Sequence, residues 1–182
     1  MEQRKVVPAG TEWIETHIRE FSGSPVARIA DDWMLITCGN TTEEKGNWNT
    51  MTASWGGLGV LWGKNVAFMF IRPTRFTYAL ANDNALFTLS FFDASYRRAL
   101  EVCGAKSGRD TDKAEASGLT PIAFSDGGIA FQEAEEVIAC RKLYVHDFDP
   151  RQFLDSSIET LYPLKDYHRM FIGEALSLRR KR

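Results

Sequence analysis

Asn47-Trp48-Asn49-Thr50-Met51-Thr52-Ala53-Ser54-Trp55-Gly56-Gly57 is the stretch on which the fold turns. Trp48–Trp55 reads as a strand, being rich in aromatic and β-branched residues, shorter than a typical helix and ended by a glycine pair. Its polar content is high for a strand, and alternation puts Thr50, Thr52 and Ser54 on one face. Three small hydroxyls there leave main-chain donors and acceptors open to a flat heteroaromatic ring. The other reading is a solvent-facing strand edge, because Thr-rich strand faces are common and need no ligand.

Working outward, five more short apolar runs read as strands: Trp33–Cys38, Val66–Ile71, Leu86–Phe92, Val137–Val145 and Met170–Leu178. In Leu86–Phe92 the alternation of Phe87, Leu89 and Phe91 with Thr88 and Ser90 predicts a half-buried strand. Val66–Ile71 is apolar on both faces, which predicts a strand covered on each side. Helical pieces are short: Arg75–Ala81, Ser95–Cys103 and Asp112–Ser117, each followed by a helix stop. Many strands with brief helices between them predict a mainly β fold, a barrel with short peripheral helices, over a doubly wound α/β sheet.

Two further segments carry polar chemistry. In Ile71-Arg72-Pro73-Thr74-Arg75-Phe76-Thr77-Tyr78 a buried strand turns through Pro73 into a helix. There the fork of Arg72 and the hydroxyls of Thr74 and Thr77 sit beside helix-start N–H groups, which suits an anion. Alternatively Thr74 is an N-cap and Arg72 a surface ion-pair partner. Gly104-Ala105-Lys106-Ser107-Gly108-Arg109-Asp110-Thr111-Asp112-Lys113 is a polar loop that reads as a binding rim or as a solvated connection.

Other patterns exclude function classes. Gly57-Leu58-Gly59-Val60-Leu61-Trp62-Gly63 misses the dinucleotide fingerprint by one position, with no helix pattern after it. His17, His146 and His168 lack partners at zinc-like spacing, and no G-x-S-x-G elbow is present. Cys38, Cys103 and Cys140 are odd in number and widely spaced, which fits a reducing compartment without a disulfide framework. The 182 residues are 44% apolar and 25% charged with a net charge of -2, the profile of one globular domain over residues 1–182 without the basic surface that nucleic acid or anionic lipid needs. The closing run Leu178-Arg179-Arg180-Lys181-Arg182 reads as a solvated, frayed terminus. Met1–Lys5 leads into Val6-Val7-Pro8 rather than an apolar signal core, and no segment reaches membrane-span length, so a cytoplasmic protein is expected.

The ordered set Asn49-Thr50-Met51-Thr52-Ala53-Ser54-Trp55-Gly56, Arg72-Pro73-Thr74-Arg75-Phe76-Thr77, Cys103-Gly104 with Ser107-Gly108-Arg109-Asp110 and Lys113, and Tyr167-His168 with Ile172-Gly173-Glu174 resembles the flavin reductase-like family of the FMN-binding split barrel, flavoredoxin-type proteins included. The resemblance implies a homodimeric split β-barrel with FMN near the subunit interface. It places the ring beside Asn49, Thr50, Met51, Thr52, Ala53, Ser54 and Trp55. It places the phosphate at Arg72 and Thr77 with Thr74, and adds Ser107, Lys113 and His168 to the cofactor-binding set. The resemblance leaves the reaction open; the leading expectation is hydride transfer from NADH or NADPH to bound flavin, which then reduces a redox partner protein or free flavin, with no assigned catalytic side chain. A flavin-binding electron carrier or sensor without a nicotinamide site, and a related haem-binding split barrel, are the competing readings. The excess of tryptophan, notably Trp48, Trp55 and Trp62, with the all-apolar strand Val66–Ile71, independently predicts a homodimer interface.

Overall fold

The computed structural model describes residues 13–42, 46–124 and 126–181; the N-terminal reading over Met1–Pro8 and the last basic residue, Arg182, lie outside them. Ten strands form: β1 (Trp13–Thr16), β2 (Met34–Gly39), β3 (Trp48–Ala53), β4 (Gly56–Leu61), β5 (Lys64–Ile71), β6 (Leu86–Phe91), β7 (Pro121–Ala123), β8 (Ile129–Phe131), β9 (Glu136–Asp147) and β10 (Arg169–Lys181). The α-helices are α1 (Pro25–Ala27), α2 (Phe76–Asp83), α3 (Arg97–Ala105) and α4 (Lys113–Ser117), all short, with a π-helical turn at Arg28–Asp32 and 3-10 segments elsewhere.

The main sheet runs β3-β2-β6-β9-β10-β5-β4, with β1 added beside β10, and every pairing is antiparallel. The sheet curls around one core of Met34, Ile36, Met51, Met69, Ile71, Leu89, Phe91, Ile138 and Phe171, contributed by six of its strands. The two ends of the sheet order, β3 and β4, are consecutive in the chain and joined only by Ser54-Trp55. The barrel is therefore split at the segment that opened the sequence reading. A second core on the outer face packs α3 and the β7–β8 hairpin on the sheet through Leu35, Leu100, Leu119, Ile122, Phe131 and Val137.

Two sequence expectations need correction. β6 is not half-buried: Thr88 and Ser90 are as buried as Phe87, Leu89 and Phe91, because the β7–β8 hairpin covers that face and Ile129 O accepts from Thr88 Oγ1. The basic C-terminus is not frayed as far as Lys181, since it is the end of β10; Arg179 is 8% exposed and pairs with Glu15 and Asp126, and Arg180 pairs with the buried Glu136. Trp48 is half-buried and packs against Phe131, which leaves only part of its ring at the surface.

Strands β1, β4, β7 and β8 and helix α1 escaped the sequence pattern. β4 carries three glycines, whose lack of a side chain erases the apolar signal, yet it pairs with β5 through a tight hairpin. The hairpin's central residues, Trp62 and Gly63, both have positive φ, as a type I′ turn requires. On β10, a Cβ at Gly173 would lie 2.4 Å from the Phe87 ring, so only glycine lets that core ring cross the bulge between Ile172 and Gly173.

Candidate functional site

The register of the sheet assembles the site at the split. Ile71 of β5 lies opposite Arg169 of β10, so the next residue on one strand, Arg72, and the preceding one on the other, His168, meet at one end of the sheet. There they face the Ser54-Trp55 link, and a cavity of about 230 Å³ opens between Met51, Thr52, Ala53, Ser54, Trp55, Phe70, Arg72, Arg75 and His168. Trp55 is 41% exposed and its ring lies 5.0 Å from that of His168, tilted by 47°. Adjoining it, a more apolar cavity of about 410 Å³, lined by Val26, Ile29, Gly56 and Phe148, shares Ser54, Trp55 and Phe70 with the first.

A polar cleft of about 150 Å³ continues from the first cavity through Arg75. Thr74, Phe76, Thr77, Asn49, Lys106, Ser107, Gly108, Arg109 and Lys113 line it at the N-terminus of α2. Among the described residues, Arg75, Lys106 and Arg109 have no carboxylate partner: Arg75 donates only to Gly104 O (3.4 Å), and Arg109 donates to Thr74 O (3.3 Å) with its guanidinium 5.3 Å from the Phe76 ring. Three exposed cations and a helix start, with no carboxylate in the lining, give the cleft a chemistry that suits an anion. A Cβ at Gly108 would fall 2.1 Å from Asn49 Oδ1, so the rim loop can lie this close to β3 only with glycine there.

The predicted residues therefore come together, but several hydroxyls are not free for a ligand. Thr50 is fully buried, with its Oγ1 3.0 Å from Thr37 Oγ1 and donating to Ile36 O. Thr52 donates to Leu100 O of α3, while its remaining surface lines the first cavity. Thr50 and Thr52 do share a face, as alternation requires, but helix α3 covers that face. Thr77 is fully buried and accepts from Asn49 Nδ2 (2.8 Å). Ser54 lies in the link beyond β3, on the cavity wall.

Lys113 is 6% exposed, and its Nζ donates to Thr50 O and Cys103 O, each at 2.7 Å, tying β3 to α3. Burial pushes its pKa down to about 8, with Arg75 adding to the effect, so at neutral pH it remains a cation behind the cleft. Arg72 donates to Asp166 (2.8 Å) and to Leu161 O (2.9 Å), and Thr74 also donates to Asp166 (3.3 Å). Thr74 is not the N-cap of α2; Arg75 holds that position. Arg72 thus forms an ion pair with a partner 94 residues away while its side chain also lines the cavity.

His168 is 8% exposed, and its Nδ1 lies 2.8 Å from Tyr162 Oη. Burial, reinforced by Arg72, lowers its pKa to about 4, so the ring is neutral near pH 7. The sequence reading did not single out Arg75, Lys106 or Arg109 as ligand groups, although the loop's basic and small residues were a usable signal. Phe70, Tyr162 and Asp166 carried none, because only folding brings them to the cavity.

The fold and this site define a class, and comparison with known proteins agrees. The sequence profile of the flavin reductase like domain matches residues 26–182. The chain belongs to the flavin reductase-like family. Among solved structures it is similar to a flavoredoxin of Methanosarcina acetivorans (16% identity, TM-score 0.61, covering 81% of this chain and 67% of that one). It is similar also to an FMN-binding domain of a flavin reductases-like enzyme from Shewanella baltica (10%, TM-score 0.65, 93% and 78%). A third is an NADH:FAD oxidoreductase of Streptomyces globisporus (12%, TM-score 0.60, 83% and 78%). At these identities the likeness establishes the shared split-barrel fold. No curated protein matches the chain in sequence.

Proposed function

We propose that the protein binds FMN at the split of the barrel and acts as an NAD(P)H-dependent flavin reductase. The observation that carries the reading is the joining, through Arg75, of a ring-sized cavity at Met51–Trp55 to a basic cleft without carboxylates at Arg75, Lys106 and Arg109. The donor set fits FMN from end to end. The Thr52–Ser54 main chain and His168 suit the polar edge of the ring, Trp55 and Phe70 suit its faces, and the cleft suits the phosphate dianion. Arg72, Thr74 and Thr77 serve this site by ordering its walls, with Ser107 at the rim and Lys113 behind it.

Bound flavin supplies the redox chemistry; the residues here bind, orient and exclude water. The apolar cavity that shares Ser54, Trp55 and Phe70 with the first offers a second flat ring an adjoining place, which favours turnover with a nicotinamide over an electron carrier with no such place. We further propose a homodimer. Val60 (70% exposed), Trp62 (58%), Tyr144 (43%) and Leu176 (44%) lie on β4, β9, β10 and the hairpin, with Trp62 and Tyr144 in ring contact, an apolar surface of the kind a second copy covers. The neighbour described as an NADH:FAD oxidoreductase supports NADH as donor. Titrating the protein with FMN, and then adding NADH or NADPH anaerobically, tests the reading: binding and bleaching of the flavin band are expected. Binding without bleaching would leave the carrier reading, and absence of binding would overturn both.

A further inference from the structure

The segment between β9 and β10 reaches the ring cavity at His168, and the contacts that fasten it there form a chain. Asp166 holds Arg72 (2.8 Å); Arg72 also bonds Leu161 O, and its guanidinium lies 4.7 Å from the centre of the Tyr162 ring. Phe153 stacks on Tyr162, nearly parallel at 14° and 6.1 Å between centroids. Packed between a cation and an aromatic ring and only 3% exposed, Tyr162 has one place for its hydroxyl, at Nδ1 of His168. The other ring nitrogen, Nε2, has no hydrogen-bond partner among the described residues, and His168 lines the cavity.

We infer that Tyr162 is a positioning residue: its hydroxyl donates to Nδ1 of His168, fixes the imidazole as the Nε2–H tautomer, and so presents one neutral N–H donor to the acceptor edge of the ring ligand. The tautomer follows from where the phenol proton can go. A phenol oxygen can accept as well as donate, but if Nδ1–H were the donor the proton of the buried Tyr162 hydroxyl would have no partner among the described residues; donation from the phenol to Nδ1 avoids that cost and leaves the imidazole proton on Nε2. The groups facing the imidazole are Arg72 and Arg75, which oppose a second proton, and Asp166, which favours one but is already committed to Arg72 and Thr74. Burial adds to the two arginines, so the ring stays a neutral, directional donor. Nothing in the sequence near His168 announces this, since Tyr162 lies in an irregular segment and its sandwich partners come from residues 72 and 153.

This inference deepens the FMN reading and is tested in two independent arms. In the first, nitrogen NMR of the imidazole in flavin-free protein near pH 7.5 reads the tautomer directly. A single Nε2–H form in the wild type and a mixture in Tyr162→Phe are expected; an Nδ1–H form in the wild type, or an unchanged tautomer in Tyr162→Phe, would overturn the inference. If Tyr162→Phe fails to fold, the wild-type tautomer decides alone. In the second arm, quenching of flavin fluorescence gives FMN affinity for Tyr162→Phe with and without His168→Phe. The lost hydrogen bond should weaken binding by roughly 2- to 10-fold in the wild-type background and leave it unchanged once His168 is Phe. Equal losses in both backgrounds would show that Tyr162 acts on the cavity without His168 and would refute the role. Failure of FMN to bind at all would overturn the functional reading while the first arm still reports on Tyr162.

Discussion

Arg75→Ala separates the structure's account of phosphate recognition from the one the sequence invites. Arg72 looks like the phosphate ligand in the sequence, but both of its terminal nitrogens already donate, to Asp166 and to Leu161 O, and it does not line the cleft, whereas the Arg75 guanidinium makes one long bond to Gly104 O and lines both the ring cavity and the cleft. A hydrogen bond to a charged group contributes roughly 1.5–3 kcal/mol, so losing Arg75 should weaken FMN binding about 10- to 100-fold. Riboflavin, the same ring without phosphate, should lose far less. The control must keep the local charge constant: removing Arg72 alone leaves the Asp166 carboxylate, with only 10% of its side chain exposed, unpaired beside the site, where it would repel phosphate by itself. The neutral pair Arg72→Gln with Asp166→Asn removes both charges and should preserve the FMN-to-riboflavin affinity ratio. Fluorescence titration of the three proteins with each ligand measures that ratio at fixed salt, because exposed charges at the cleft are screened over about 8 Å at physiological ionic strength. A collapsed ratio in the double variant, with an intact ratio in Arg75→Ala, would refute the assignment.

Other expectations follow from single contacts. Gly108→Ala puts a Cβ into the Asn49 amide, so it should break the Asn49–Thr77 bond, narrow the cleft, lower the melting temperature and weaken FMN binding; an unchanged protein would show that the loop moves aside freely. His168, with its pKa lowered from 6.5 to about 4, is neutral in both folded and unfolded chains above pH 6.5. As pH falls from there the unfolded chain gains the proton first, so stability drops by about 3 kcal/mol down to about pH 4. His168→Gln should remove that part of the pH dependence of denaturant unfolding, and an unaltered slope would contradict the shift. Trp62→Asp with Tyr144→Glu should bring the mass by light scattering down to that of a single 20.6 kDa chain; an unchanged dimer would place the interface elsewhere.

What the sequence determined by itself was local. Period-two alternation and β-branched runs located β2, β3, β5, β6, β9 and β10 to within a few residues, because each strand must bury an apolar face whatever its neighbours. The short helices followed from their stop residues. The ordered motifs around Asn49–Trp55, Arg72–Thr77 and Ser107–Lys113 pointed to one site, and the fold does gather them at the split. Glycine-rich β4 was invisible because its role is to let Phe68 and Met34 approach, not to show a pattern.

Tertiary structure alone decided how each polar group is used. Alternation puts Thr50 and Thr52 on one face, but only the position of α3 decides that this face is covered by protein instead of ligand. An arginine's charge is legible in sequence, but its partner is not: Asp166 reaches Arg72 across 94 residues because β10 pairs with β5, and that pairing leaves Arg75, Lys106 and Arg109 as the cations open to an anion. Tyr162 and His168 are six residues apart, yet their bond depends on Arg72 and Phe153 closing around the phenol. Hydrogen bonds and ion pairs are satisfied by whichever partner the packed chain brings within about 3 Å, and that is fixed by long-range strand register, which no local pattern encodes.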